Sequence, residues 1–490
     1  MKLLAALLIY FLVVPAAFAA ERIALVVGIG AYAHATPLKN TVADSQAIAD
    51  TLRKLDFKVD HVLDSNRDDM TAALERFTFA AETADVALVY YAGHGVEVEG
   101  QNYLVPADAT FETAEDVTGR TISLQQVLSA AGSARRLRIV ILDACRDNPF
   151  TGLEGVSNVV SATQSDGGSG LAPPSPDRGT LVVYAAKDGA VALDGRGAHS
   201  PFAQALLAHM PTPDLEISMM FRRVRDDVLR MTRRFQEPHF YGSLPGVPLF
   251  LAGDGAQIAS QEDPRRAWGV ARSDTETQLA ALANQGDTRS MIGLAYMYQD
   301  PDGGRFNPEK AAEFLRQAGF KGDPEAQFEL ARAYEKGFGV PQDASKALEW
   351  YNRAAGLDFA DAINELGFLH YAGGLGVVAD PRRALGYFQR AAELGHPQAM
   401  FNYAALIDDG IVTGKSADDA ATLLYRALRA GSRDVLSELT ENPNQYKQET
   451  LRGLQRKLSE NGFYDSGAID GRVGPQTKRS IRLAFGETPE

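Results

Sequence analysis

Through the first half of the chain, short runs of consecutive apolar and β-branched residues alternate with stretches whose apolar positions recur every three to four residues. The runs are "RIALVVGI" (22–29), "KVDHVLD" (58–64), "DVALVYYA" (85–92), "RIVILDA" (138–144), "TLVVYAA" (180–186) and "VPLFLA" (247–252). Between them, 41–54 puts Ile48, Leu52 and Leu55 on one helical face, and 67–81 reads as a second amphipathic helix. Strands that are apolar along nearly their whole length are buried on both sides. The pattern therefore predicts a mainly parallel sheet covered by helices on both faces, from 22 to about 251. One stretch breaks the rhythm: 151–178, "TGLEGVSNVVSATQSDGGSGLAPPSPDR", is rich in Gly, Ser and Pro and too long for an ordinary connection. It reads as a mobile or functional loop.

After a polar stretch, the pattern becomes repetitive. Gly286, Gly322, Asp358, Gly395 and Gly431 recur at steps of 36, 36, 37 and 36 residues, accompanied by Ala-rich segments such as "KALEWYNRAA" and "RALGYFQRAA". A fixed period of this length predicts stacked helical hairpins, an all-α solenoid. Asp358 stands where the other repeats carry Gly, so an altered turn is expected there. The segment 451–485, "LRGLQRKLSENGFYDSGAIDGRVGPQTKRSIRLAF", reads as two short amphipathic helices flanking a Gly-rich turn. The expected division is 1–20 leader, 21–252 sheet domain, 253–276 linker, 277–440 repeats and 447–487 C-terminal module.

Composition narrows the setting. In "MKLLAALLIYFLVVPAAFAA", Lys2 precedes an apolar run over 3–14, and Ala17-Phe18-Ala19 offers a cleavage site, so the chain is expected to be exported, to a periplasm or cell envelope. A formal net charge of -14 argues against a general nucleic-acid or anionic-lipid surface. Exported proteins use cysteine mostly in pairs, yet this chain of 490 residues has one, Cys145. It is a buried inert residue, an intermolecular link or a reactive thiol.

A cysteine nucleophile needs a base for its proton and donors for the oxyanion that forms on the attacked carbonyl. "YYAGHGVEVEG" supplies His94 after one apolar run, and "ILDACRDNPF" supplies Cys145 after another, so both are expected where a strand ends. Sites in open parallel sheets form at such ends, and two adjacent strands would bring the pair together. Gly93 and Gly95 are expected to give the backbone beside His94 an unusual conformation and room for substrate, with the N–H groups of Gly95 and Cys145 as oxyanion donors.

Cys145 lies 51 positions after His94, near the caspase spacing. In order, "ALVVGIGAY", "PLKNTVADSQAIADTLRKLDFKV", "LVYYAGHG", "YLVPAD", "LDACRDNPF", "GTLVVYAA" and "DGRGAHSPFAQAL" resemble the bacterial caspase-like peptidases related to metacaspases and paracaspases. The resemblance implies an α/β caspase-like sheet, a cysteine-type endopeptidase activity, His94 as general base and Cys145 as nucleophile. No organic cofactor or metal is required by that chemistry. Where caspases carry Gln-Ala-Cys, this chain has Asp143-Ala144-Cys145. Strand alternation puts Asp143 on the side of the nucleophile, where a carboxylate would reject an acidic side chain and accept Arg or Lys. Asp44 matches a second acidic pocket position of the metacaspase-like and paracaspase-like relatives, and Asp194, in "VALDGRG", is a third candidate. Cleavage is thus expected after Arg or Lys, and Arg178 in "SPDRGT" is a candidate self-cleavage position.

The repeats resemble the Sel-like branch of the tetratricopeptide-type repeats, which implies protein partners. The "LQRKL…GFY…IDGRVGPQT" run is similar to the small peptidoglycan-binding-like module, and a helical cap on the repeats is its plainer reading. The opposing expectation for the whole chain is a catalytically silent envelope scaffold that works through repeats and module. Other signals carry little. "GIGAYA" (28–33) has a dinucleotide-like spacing broken by Pro37, and "DGIVTGKS" (409–416) is a phosphate-loop echo one residue short. His34, His61, His199, His209 and His239 have no ligand spacing and read as structural or solvated, as does the Arg-rich stretch 221–235.

Overall fold

The change of period along the chain is a change of architecture. In this computed structural model, residues 21–98, 101–111, 113–145, 179–187, 192–195, 197–244, 248–253, 273–302, 304–464 and 468–487 are described. The leader 1–20, the loop 151–178 with Arg178, and 254–272 of the expected linker lie outside the described residues. Two compact units meet between Ser273 and Asp274 in sequence.

The first unit contains, in chain order, β1 (Arg22–Gly28), α1 (Thr41–Lys54), β2 (Lys58–Leu63), α2 (Arg67–Ala81), β3 (Val86–Val98), β4 (Gln101–Leu104), α3 (Ala114–Arg120), β5 (Ile122–Ser123), α4 (Leu124–Ala131), β6 (Leu137–Cys145), β7 (Thr180–Tyr184), α5 (Pro201–His209), α6 (Ile217–Met231) and β8 (His239–Ser243). The strand order is β2-β1-β3-β6-β7-β8, parallel throughout except for β8, with β4 and β5 set off as an antiparallel extension of β3. Alternation sorts the side chains onto two faces. Leu25, Val27, Val89, Tyr91, Val140 and Leu142 pack in one buried cluster with Met70 and Phe77 of α2 and Val127 of α4. Their strand neighbours Val26, Tyr90 and Ile141 are equally buried, on the face opposite. There α1 contacts the sheet and α5, with Ile48, Leu52, Phe202 and Leu206 fully buried.

Two expected boundaries move. The run 247–252 is not a strand: its described residues make one bridge, Phe250 to Glu216, and the edge strand is β8. The carbonyls of Leu249, Leu251 and Ala252 instead accept from Ile217 N–H, Arg22 Nη1–H and Asp214 N–H, leaving that segment no ladder to join. β3 also runs past Ala92 to Val98, so His94 lies inside a strand and not at its end. What ends at His94 is the parallel pairing, since Gly95 to Val98 pair antiparallel with β4.

The second unit is helical: α7 (Ser273–Asn284), α8 (Thr288–Gln299), α9 (Pro308–Phe320), α10 (Pro324–Lys336), α11 (Ala344–Gly356), α12 (Ala360–Ala372), α13 (Pro381–Glu393), α14 (Pro397–Asp409), α15 (Ala417–Arg429), α16 (Arg433–Glu441), α17 (Gln448–Glu460) and α18 (Pro475–Phe485). Fully buried alanines recur at matching places, Ala311, Ala347, Ala384 and Ala420, because a methyl group lets neighbouring helices approach closely. The turns after alternate helices are left-handed, with φ of 98°, 92°, 85° and 85° at Gly286, Gly322, Gly395 and Gly431. Asp358 does not alter its turn, contrary to expectation: it holds φ at 55°, and Arg390 Nε–H donates to its Oδ1 at 3.0 Å. Aspartate is among the few residues that enter this region at modest cost.

The C-terminal helices α17 and α18 pack on α15 and α16, and Arg429 Nη1–H donates to the Ala484 carbonyl at 3.0 Å. Buried Gln455 holds the turn between them, accepting from Gly471 N–H at 2.7 Å and donating to the Arg472 carbonyl at 3.0 Å. The segment "IDGRVGPQT" is held by these hydrogen bonds, and the module packs on the last repeat helices.

Candidate functional site

The pairing of β3 with β6 sets His94 opposite Cys145 across adjacent parallel strands, the last register pair of that ladder. His94 is 5 % exposed, and its Nε2 lies 2.8 Å from the carbonyl of Thr36. A carbonyl only accepts, so Nε2 carries the hydrogen and the lone pair of the neutral ring sits at Nδ1. The Tyr32 ring leans on the imidazole with centroids 4.5 Å apart, and its hydroxyl accepts from His94 N–H at 2.7 Å. Nothing in the spacing of the chain pointed to Thr36 or Tyr32, which reach the site from the connection after β1.

The same contacts orient Gly95. The His94 N–H and carbonyl are directed to Tyr32 and to Val105 N–H, on the side of β1 and β4. Peptide groups alternate sides along a strand, so the Gly95 N–H faces the β6 side, where the backbone of Cys145 lies. Gly93 is required by space and not by an unusual backbone conformation: a Cβ there would lie 2.5 Å from Tyr91 Oη and 2.6 Å from Tyr32 Oη. Burial raises the Tyr91 hydroxyl pKa, which keeps it as a donor to the His94 carbonyl at 2.7 Å.

On the α1 face, Asp44, Asp143 and Asp194 line one small cavity together with Leu38, Thr41 and Ser200. Its volume is ≈ 10 Å³, about the space one water molecule needs. Asp143 is buried, and its donors, Tyr90 Oη–H at 3.1 Å and Ser200 Oγ–H at 2.8 Å, both reach Oδ2. Burial, followed by the negative charge of Asp44, pushes its pKa up to about 7. Asp44 is 1 % exposed and its pKa is also raised by burial. Its two oxygens accept from His199 Nδ1–H at 2.6 Å and Ser200 N–H at 3.1 Å. Asp44 is not the N-cap of α1, a position held by Asn40.

Ser200 is the junction of this cluster. It binds both carboxylates, and its Oγ accepts from Ala203 N–H to cap α5. His199 is not merely solvated, because it shares Asp44. Asp194 plays a different part: its carboxylate accepts from Lys39 N–H at 3.0 Å and Asn40 N–H at 3.2 Å, so it stabilises the entry to α1 while lining the cavity. The dinucleotide-like "GIGAYA" is occupied from within, since Gly30 and Ala31 N–H both donate to Asp64 Oδ1, at 2.7 and 2.9 Å.

Comparison with known proteins finds two families along the chain. Residues 21–247 match the caspase domain family, and 288–323, 324–359, 360–396 and 397–432 each match the Sel1 repeat. Over 129 residues the chain is 31 % identical to mucosa-associated lymphoid tissue lymphoma translocation protein 1 of Homo sapiens and to its homolog in Mus musculus, covering 26 % of this chain and 15 % of each relative. Chitin synthase regulatory factor 3 of Schizosaccharomyces pombe is 27 % identical over 176 residues, 35 % of this chain and 19 % of that protein. The chain thus spans less than a fifth of the length of the curated relatives it matches. Among solved structures, a Sel1 repeat protein from Oxalobacter formigenes aligns with a TM-score of 0.31 at 22 % identity, covering 43 % of this chain and 98 % of that one. The protective antigen c5321 of uropathogenic Escherichia coli gives 0.34 at 18 %, covering 53 % and 56 %. The chain joins a caspase-like domain to a Sel1 repeat solenoid, a combination that suggests a cysteine peptidase with repeats for protein interaction.

Proposed function

We propose that this protein is an exported cysteine endopeptidase that cleaves after Arg or Lys through a dyad of His94 and Cys145. The observation that carries the reading is the register of β3 and β6, which pairs the two residues while the Thr36 carbonyl holds the His94 hydrogen at Nε2. His94 Nδ1 takes the proton of the Cys145 thiol, and the sulfur attacks the scissile carbonyl carbon. The carbonyl electron pair moves onto oxygen, where the N–H groups of Gly95 and Cys145 stabilise it. As the C–N bond breaks, the imidazolium returns its proton to the leaving amine, and water then releases the acyl group with His94 again as base. Thr36 and Tyr32 position the ring and do not touch the substrate.

Asp143, Asp44 and Asp194 form the pocket for the basic side chain. Asp143 is its centre, because both of its described donors engage Oδ2 and leave Oδ1 as the acceptor for an incoming cation. The closed cavity widens as that side chain enters. The repeats hold protein partners, and the C-terminal module, besides capping them, serves peptidoglycan attachment in the periplasm or envelope. Self-cleavage after Arg178 belongs to the same specificity.

The deciding experiment compares hydrolysis of fluorogenic peptides ending in Arg, Lys or Asp, with and without calcium, by the mature chain and by Cys145→Ala. Cleavage after Arg and Lys that disappears in Cys145→Ala is the expected result. Cleavage after Asp alone would overturn the acidic-pocket assignment, and cleavage that survives Cys145→Ala would overturn the dyad. A binding assay of the C-terminal module against purified peptidoglycan sacculi, within the full chain, checks the envelope assignment; absence of cosedimentation would remove it.

A further inference from the structure

The most unusual backbone in the repeats is the loop between α12 and α13. Four successive residues take positive φ: Gly373 at 79°, Gly374 at 159°, Leu375 at 51° and Gly376 at 83°. A leucine in the left-handed region is strained, and strain of this kind is kept where a surface must be held in one shape. Val377 N–H closes the turn on the Gly374 carbonyl at 2.8 Å, and the result is that Val378 projects into solvent, 84 % exposed.

This loop forms one wall of a cavity of ≈ 760 Å³, whose other walls are α11, α12 and the first turns of α13. A cavity of this size is within the range that holds ligands. His370 lies in its lining, 9 % exposed, with its ring stacked on Tyr387 at 5.2 Å and 8° between the planes. Its Nδ1 is buried and has no hydrogen-bond partner among the described residues. Burial, then the nearby charge of Arg383, lowers its pKa, which favours the neutral ring with one donor and one acceptor nitrogen.

Two cations stand at the rim. Arg382 and Arg383 are exposed, and neither makes an ion pair among the described residues. The acid in the lining, Asp380, has an oxygen committed to α13, where it accepts from Arg382 N–H at 3.1 Å and Arg383 N–H at 3.2 Å. On a chain with a net charge of -14, a pair of arginines without carboxylate partners beside an exposed valine is a local reversal of the surface.

We propose that this cavity is a docking site for an acidic segment of a protein partner, one that alternates carboxylates with apolar side chains. The carboxylates pair with Arg382 and Arg383, an apolar side chain covers Val378, and Asn352 and His370 in the lining offer hydrogen bonds to the segment's backbone. Charge complementarity selects the class of partner, and the chain's overall acidity disfavours an extended polyanion such as a nucleic acid. The site is independent of the catalytic reading.

Fluorescence anisotropy tests it on the full chain carrying Cys145→Ala, so that no probe is hydrolysed. The probe is a fluorescein-labelled peptide, Gly-Asp-Leu-Glu-Asp-Leu-Glu-Gly, and the control replaces each acid with Lys. Saturable binding of the acidic probe alone is expected, weakened about tenfold or more by Arg382→Glu with Arg383→Glu, and less by Val378→Ser. All three positions are exposed, and an unchanged thermal melt verifies that the variants fold. Equal binding of the two peptides, an affinity indifferent to the double reversal, or no saturation up to about 1 mM would overturn the proposal. Full displacement by equimolar inorganic phosphate would overturn it in favour of a small anion.

Discussion

Asp143 in the first unit and Asp408 in the second are both buried aspartates, 8 % and 2 % exposed, yet they sit in opposite situations. Asp408 has donors at both oxygens: Thr450 Oγ1–H reaches its Oδ1 at 2.7 Å, and Lys447 N–H lies 3.1 and 3.3 Å from its two oxygens, tying α17 to α14. Asp143 has two hydroxyl donors on one oxygen, a neighbouring carboxylate and a cavity. Burial alone therefore does not distinguish a structural acid from one proposed to bind substrate. The difference lies in whether donors fill both oxygens, because an acid left short of them holds its proton more tightly and keeps an acceptor in reserve for a ligand.

The sharpest break between the units is catalytic. Cys145→Ala or His94→Ala should reduce turnover of Arg peptides by about a thousandfold or more, whereas Asp408→Ala should leave kcat/KM unchanged. Steady-state assays on the three variants check this, and an Asp408 effect of similar size would mean that the units are not separable in function.

Asp143→Asn is expected to lower kcat/KM for Arg and Lys peptides by about ten- to a hundredfold, mainly through KM. It also tests the proton. Asp143 holds its proton up to about 7 in the fold, against 3.8 ordinarily. Below about pH 4 the acid is protonated folded or unfolded, and the fold keeps all of the stability that the raised pKa brings. That contribution is lost progressively between about pH 4 and about 7, where the unfolded chain ionises the acid and the folded chain does not, and the loss is complete above about 7. Asp143→Asn should therefore match the parent in acid and exceed it in stability above neutrality, by up to roughly 4 kcal/mol. Urea unfolding at several pH values measures this; a variant less stable than the parent at pH 8 would show that the carboxylate is satisfied. In the parent, KM for Arg peptides should fall as the pH rises through about 7, and in Asp143→Asn this limb should flatten.

Asp408→Ala should destabilise the second unit by about 2 to 3 kcal/mol, because the Lys447 N–H and Thr450 hydroxyl lose a buried acceptor. Calorimetry should show its transition lowered while that of the first unit stays in place. The smallest effect is expected at Asp358→Gly, within about 0.5 kcal/mol of the parent, since relief of the left-handed backbone opposes loss of the exposed Arg390 contact. Repeating the substitution on an Arg390→Ala background should reveal stabilisation of about 0.5 to 1 kcal/mol.

Much of this architecture was legible in one dimension. Continuous apolar runs such as 85–92 and 138–144 report burial on both faces, and the steps from Gly286 to Gly431 report stacked hairpins, because both are periods between neighbours along the chain. The lone Cys145 and the spacing to His94 directed attention to a thiol site for a chemical reason, namely the lack of a partner for a disulfide. The antiparallel edge at β8 was not legible, since the apolar run 247–252 has the composition of a strand but gives the carbonyls of Leu249, Leu251 and Ala252 to Ile217, Arg22 and Asp214.

The chain's order of residues by itself determined which segments are strands, helices and repeats, and which side chains could do chemistry. The sheet order and register decided the rest: that His94 and Cys145 are a register pair of β3 and β6, that the Thr36 carbonyl assigns the His94 tautomer, and that Ser200 and His199 reach across to Asp44 and Asp143. Those partners are 51 to 156 positions apart. Hydrophobic periodicity acts over a few residues and sets local conformation. Contacts at such separations exist only once the strands have paired and the helices have closed over one face of the sheet, so no local spacing records them.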